Sequence, residues 1–180
     1  MVKEIKDIQK RFGIETTLGK RRTDFGTPPA DNTVISIEAF VEREPITIYC
    51  SEMLWIKSTK GHGDDRDVKY KESDKERFVL QAYTTDKLLV FTKMGRFYTI
   101  PCDKIAKGKG FGEPLRLSVD LANEDEVMGL FIHQPGRKLL LVSTAGRGFI
   151  IEEQDVLAQT KSGKQILNLP EGDSAFACKS

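Results

Sequence analysis

The feature that most constrains this chain is a repeat. Lys87-Leu88-Leu89-Val90-Phe91-Thr92-Lys93-Met94-Gly95-Arg96-Phe97 recurs as Lys138-Leu139-Leu140-Leu141-Val142-Ser143-Thr144-Ala145-Gly146-Arg147-Gly148, so the two Gly-Arg pairs stand 51 residues apart. The same offset carries Gly112-Glu113-Pro114-Leu115 onto Gly163-Lys164-Gln165-Ile166. A weaker copy runs from Ile46 to Ile56, with Leu54 where the others have glycine. Four apolar or β-branched residues, a short turn and a second apolar segment predict an antiparallel hairpin. Glycine in the turn supplies the positive φ of a three-residue hairpin loop, whereas Leu54 must accept the left-handed region or force a different turn.

Each unit is expected to hold four strands: the two of the hairpin, a third near Arg116–Val119 and a fourth near Val127–Ile132. A four-stranded sheet cannot bury both faces alone, so units of this length predict an all-β, propeller-like array of four-stranded blades. About three blades are expected, near 34–84, 85–135 and 136–180. The chain ends within the last strand of the third unit, which predicts a longer array and no ring closure here. Ahead of the blades, Val2, Ile5, Ile8 and Phe12 recur at helical spacing before Gly13, predicting a short amphipathic helix. Residues 14–30, with Gly19, Gly26, Pro28 and Pro29, read as a linker, and a first strand is expected near Thr33–Ile37. The expected division is therefore 1–30 and 31–180.

At 180 residues the chain suits one domain with a core, or a core plus an appendage. It has no run near 20 apolar residues and no apolar signal segment behind its charged start, which places it in the cytoplasm. Cys50, Cys102 and Cys178 are far apart and odd in number, predicting buried thiols rather than disulfides or a zinc site. His62 and His133 lie far from acids or cysteines in sequence and read as loop residues, Trp55 reads as core, and no serine motif or histidine grouping points to catalysis or a metal. Gly108-Lys109-Gly110-Phe111-Gly112 lacks the spacing of a nucleotide-binding loop.

The net charge is only +1, so a nucleic-acid argument must rest on local distribution. From Lys87 to Arg116 there are seven Lys or Arg against two acids, and Asp120–Glu126 then carries four acids and no base. One edge is expected to be positive and another negative. Lysines in glycine-bearing loops fit recognition of a phosphate backbone, because small residues let a duplex approach while cations displace its counterions. Polar loops are ordinarily just solvated turns; recurrence at equivalent positions, above all in Ala106–Gly112 and Gln159–Lys164, is what favours binding. The candidate phosphate contacts are Lys60, Lys93, Arg96, Lys107, Lys109, Arg147, Lys161 and Lys164, with Arg116 and Arg137 behind them.

Arg21-Arg22-Thr23 after the helix, then Glu42-Arg43-Glu44-Pro45-Ile46-Thr47-Ile48, Ser51-Glu52, Trp55-Ile56-Lys57, Thr84–Leu89 and Gly146-Arg147-Gly148-Phe149, occur in an order that resembles the C-terminal β-pinwheel in the A chains of type IIA DNA topoisomerases. The match is nearer to topoisomerase IV than to gyrase. The gyrase wrapping box, Gln-Arg-Arg-Gly-Gly-Lys-Gly, is reduced here to Ser58-Thr59-Lys60-Gly61-His62-Gly63, with a degenerate form at Gln159–Gln165. The resemblance implies sequence-independent binding and bending of double-stranded DNA in support of ATP-dependent decatenation and relaxation during chromosome segregation. It implies a bacterial, nucleoid-associated protein, peripheral to the inner membrane. It also implies the B chain of topoisomerase IV as a partner, with the cleavage tyrosine, Mg2+ and ATP outside this non-catalytic, monomeric piece, whose opening helix ends the cleavage body. The alternatives are a gyrase-type DNA-wrapping domain and a propeller used only for protein contacts, the latter through acidic loops such as Asp64-Asp65.

Overall fold

The computed structural model describes residues 2–23, 41–63, 68–108 and 110–180, and the chain divides into two units, Met1–Ile35 and Ser36–Ser180. The strand expected near Thr33–Ile37, the Asp64-Asp65 pair and Lys109 lie outside the described residues. In the first unit, α1 (Val2–Phe12) forms where its periodicity predicts. Gly13 follows it, and its carbonyl accepts bonds from the amide and hydroxyl of Thr16, both at 2.8 Å.

The second unit is built from antiparallel strands. These are β1 (Pro45–Ser51), β2 (Trp55–Lys60), β3 (Glu76–Tyr83), β4 (Lys87–Thr92), β5 (Arg96–Pro101), β6 (Glu113–Pro114), β7 (Val127–Ile132), β8 (Lys138–Ser143), β9 (Gly148–Glu152), β10 (Lys164–Gln165) and β11 (Ala175–Lys179). They assemble into three sheets, ordered β3-β1-β2-β6, β10-β5-β4-β7 and β11-β8-β9. The hairpins β1-β2, β4-β5 and β8-β9 are the three copies of the repeat.

The outer strand of each four-stranded sheet comes from the next repeat. β6 pairs with β2 through Trp55↔Pro114 and Ile56↔Glu113, and β10 pairs with β5 through Phe97↔Lys164 and Arg96↔Gln165. The sheets are thus linked by strand donation as well as by packing.

The middle sheet explains the unbroken apolar run of its first strand. Successive side chains of a strand point to opposite faces, so Leu88 and Val90 enter one core with Ile46, Ile48 and Ile56, while Leu89 and Phe91 enter a second with Leu139 and Leu141. All four are at most 1% exposed, each contributing about 1.5–3 kcal/mol by burial. In the third sheet Leu139 and Leu141 face this second core, whereas Leu140 and Ile150, paired across β8 and β9, are exposed.

Two expectations need correction here. Arg116–Val119 is not a strand: Leu115–Ser118 forms a helical turn, α2. A strand would put Leu115, Leu117 and Val119 on one face. The turn instead buries Leu115 and Val119, four apart and joined by a 3.2 Å amide-to-carbonyl bond, and leaves Leu117 outside. Trp55 belongs to neither core; it is half-buried with the Lys71 ammonium 3.6 Å from its ring centroid. The cysteines are free; Cys50 and Cys102 are buried and Cys178 is half-buried. Burial pushes the first two thiols up to about 12 and Cys178 up to about 11.

Candidate nucleic-acid interface

The candidate cations hang on two local devices. The first is the hairpin turn, which takes the same form three times. The fourth residue returns its amide to the first residue's carbonyl: Leu54 to Ser51 at 3.0 Å, Gly95 to Thr92 at 2.9 Å and Gly146 to Ser143 at 3.0 Å. That fourth residue has φ of 60°, 76° and 74° respectively, so Leu54 adopts the left-handed conformation and keeps the turn unchanged.

An aspartate just before the strand that flanks each hairpin locks the turn. Oδ1 accepts the Met53 and Lys75 amides in Asp74, the Met94 and Glu126 amides in Asp125, and the Ala145 and Ser174 amides in Asp173, at 2.9–3.1 Å. The Thr144 hydroxyl also donates to Asp173 and, with the hydroxyl of Ser143 and these amides, holds its carboxyl down at about 2. At Asp74 burial opposes ionisation, but donation from Ser51 and from backbone amides outweighs it and the pKa is lowered. These turns present Lys93, Arg96 and Arg147. Lys93 meets Glu126 at 3.5 Å, Arg96 donates to the Ser162 carbonyl at 2.6 Å, and Arg147 is exposed. The cleft beside Lys93 and Arg96, about 710 Å³, also contains Asp120, Asp125, Glu171 and Asp173, so this end of the strands is not basic.

The second device is the groove where a donated segment crosses the preceding sheet, and it too repeats. In the first groove the Ser58 amide donates to Ala106 at 2.8 Å and the Gly108 amide returns to Ser58 at 3.3 Å. In the second, the Ala158 amide donates to the hydroxyl of Thr99, the equivalent of Ser58, at 2.9 Å. The first groove, about 360 Å³, holds Lys60, Lys107 and Glu44. Glu44 bonds Lys60 at 2.6 Å, lowering the carboxyl's pKa and raising the ammonium's.

The second groove is larger, about 850 Å³, and is lined by Lys87, Lys104, Lys161 and Lys164 with Asp155 as its single acid. Lys161 and Lys164 rest on neutral carbonyls, those of Leu117 at 3.3 Å and Asp155 at 2.6 Å, which fix the ammonium groups without cancelling their charge. Lys87 and Lys104 were not among the sequence candidates. Their signal was the cation surplus between Lys87 and Arg116, but only folding brings Lys161 and Lys164 beside them.

Two candidates are occupied by the fold. The Arg137 guanidinium pairs through Nε with Glu153, which is fully buried, and donates to the Ile132 carbonyl at 2.8 Å. Arg116 donates to Asn123 at 2.7 Å and to the Leu121 carbonyl at 3.4 Å, bracing the loop after α2. His133, read from sequence as lacking an acid nearby, bonds Glu153 at 2.8 Å. The two are 20 residues apart, and the turn after β7 brings them together. Among the described residues, no group of three or more His, Cys, Asp or Glu is placed to hold a metal ion, and no helix is long and apolar enough to cross a membrane.

Comparison with known proteins accords with this geometry. Residues 86–134 and 137–179 match the family described as DNA gyrase C-terminal domain, beta-propeller, in two segments that begin 51 residues apart. The A chain of DNA topoisomerase 4 from Rickettsia bellii is 50% identical over 177 residues, covering 98% of this chain and 24% of that protein. The chain thus spans about a quarter of the length of such curated relatives. The structure of the Escherichia coli ParC C-terminal domain superposes with a TM-score of 0.70 at 30% identity, covering 75% of this chain and 56% of that one. The C-terminal domain of DNA topoisomerase IV superposes with a TM-score of 0.67 at 19% identity, covering 77% and 46%, a likeness of fold alone.

Proposed function

The chain belongs to the DNA gyrase C-terminal beta-propeller family, and from that premise we propose that it binds duplex DNA without sequence preference, as the DNA-holding part of a topoisomerase IV A chain. The observation that carries this reading is the second groove, where four lysines face one carboxylate and two of the ammonium groups are held by neutral carbonyls. Such a site recognises the charge of a phosphate backbone and reads no base. The contacts are Lys87, Lys104, Lys161 and Lys164, extended by Lys60 and Lys107 in the first groove and by Arg147, Lys93 and Arg96 at the turns; Lys109 retains its place as a candidate from sequence. Arg116 and Arg137 serve the fold.

In the intact enzyme this piece would steer and bend DNA for decatenation and relaxation in the nucleoid, while strand cleavage, Mg2+ and ATP act elsewhere, in the remainder of the A chain and in its B partner. A topoisomerase IV role is favoured over gyrase-type wrapping because Ser58–Gly63 keeps only a Lys-Gly remnant of the wrapping box.

The test is fluorescence anisotropy with a random-sequence duplex across a salt series, beside a variant with Lys87, Lys104, Lys161 and Lys164 changed to Glu. Neutralising each phosphate releases counterions, so log K should fall by about 0.9 per contact per tenfold rise in salt. Binding that weakens with salt and disappears in the variant supports the proposal. Wild-type affinity that is indifferent to salt, or a variant that binds as well, refutes it.

A further inference from the structure

Lys57 lies in the middle of β2, paired with Tyr49 of β1, and is only 3% exposed. Burying an ammonium group is unfavourable unless its donors are satisfied, and desolvation lowers the pKa of this one. Among the described residues no carboxylate pairs with it. Its Nζ instead donates to two carbonyls, those of Lys69 and Gly110, each at 2.8 Å, and lies 5.5 Å from the centroid of the Tyr70 ring.

Gly110 belongs to the loop that carries Lys107 across the first groove, and the rest of that loop is pinned to the neighbours of Lys57. On one side Ser58 exchanges backbone bonds with Ala106 and Gly108. On the other, Gly112 adopts φ +87° so close to Ile56 that a Cβ would lie 2.4 Å from the Ile56 oxygen. Three successive residues of β2 therefore hold one loop, and Lys57 supplies the central attachment through its side chain. At the equivalent place on β5 stands Tyr98, 41 residues on, as Gly95 is from Leu54. It does the same work without charge: its hydroxyl donates to the Asp120 carbonyl at 3.2 Å and its ring packs against Gly163 of the next donated segment.

We infer that Lys57 is a positioning residue for the basic loop 106–112, fixing Lys107 for phosphate contact while its own charge stays out of reach of the nucleic acid. The loop attachment stands on geometry alone; the phosphate role rests on the DNA-binding reading above. Two readouts separate them.

In hydrogen exchange on the free protein, Lys57→Met should speed the Gly108 amide at least tenfold and leave the β4 and β8 amides protected, whereas Lys57→Arg, which still offers donors to both carbonyls, should preserve protection. In duplex binding, Lys57→Met should lower affinity about eightfold at 0.1 M salt and reduce the salt slope by about 0.9, as loss of one phosphate contact does. Lys107→Ala should do the same, and the double variant should be no worse than either single one. Unchanged exchange at Gly108 in Lys57→Met overturns the attachment whatever DNA does. Additive losses in the double variant overturn the positioning role. A wild-type chain that binds no duplex overturns the DNA reading and the phosphate role together, and leaves the exchange result to decide the attachment.

Discussion

Gly95 and Gly146 occupy the same position in consecutive turns, with φ of 76° and 74°, yet their surroundings differ. A Cβ on Gly95 would lie 2.4 Å from the Leu167 oxygen and 2.8 Å from the Leu167 Cβ, whereas one on Gly146 would meet nothing within 4 Å. The Leu167 backbone cannot easily withdraw, because the amides of Ile166 and Leu167 both donate to the Gly95 carbonyl, at 3.2 and 3.0 Å. Replacing either glycine with alanine incurs the left-handed penalty of about 1–2 kcal/mol, partly offset by about 0.4–1 kcal/mol from a less flexible unfolded chain. Gly95→Ala must also displace backbone, for which overpacking costs about 1–3 kcal/mol more. Urea unfolding followed by circular dichroism should therefore show Gly146→Ala destabilised by about 1 kcal/mol and Gly95→Ala by about 2–4 kcal/mol. In thermal melts the gap should be about 2–4 °C per kcal/mol for a chain of this size. Equal losses in the two variants would refute the argument that the donated segment crowds the second turn.

The turn-locking aspartates predict acid sensitivity. Asp173 has its folded pKa pulled down to about 2, against about 3.9 in an unfolded chain, so its contribution is complete above about pH 4 and is lost as pH falls toward 2; Asp173→Asn should flatten that part of a melting-temperature profile, and an unchanged profile would count against the lock. Arg137→Met leaves Glu153 buried without its cation and should cost about 3–5 kcal/mol while changing duplex affinity less than twofold. A loss of affinity without loss of stability would return Arg137 to the interface.

The hairpins were legible because their signal is local: apolar runs with a Gly-Arg turn recur at a fixed spacing. The donated strands were not, since Glu113–Pro114 and Lys164–Gln165 are two residues long and gain their meaning from partners in another repeat. Leu115, Leu117 and Val119 alternate as a strand would, and only burial of the first and last together shows the helical turn. The aspartates Asp74 and Asp125 carry the 51-residue period as plainly as the glycines, but a lone acid before a strand has no pattern of its own. Arg137 and Lys107 look alike in sequence; what separates them is a buried carboxylate on one side and an open groove on the other. Lys57 was hidden for the same reason, because its acceptors are main-chain carbonyls that any sequence supplies.

Strand donation also sets a schedule for synthesis. Glu113, which seals the first sheet along β2, lies 53 residues beyond Lys60. At translation rates of about 5–20 residues per second, β2 would leave the ribosome about 3–10 s before its partner. Throughout that interval it presents an unpaired edge of the kind that recruits foreign strands. Lys60 at the end of that edge and the buried ammonium of Lys57 within it would discourage such pairing until the next repeat arrives.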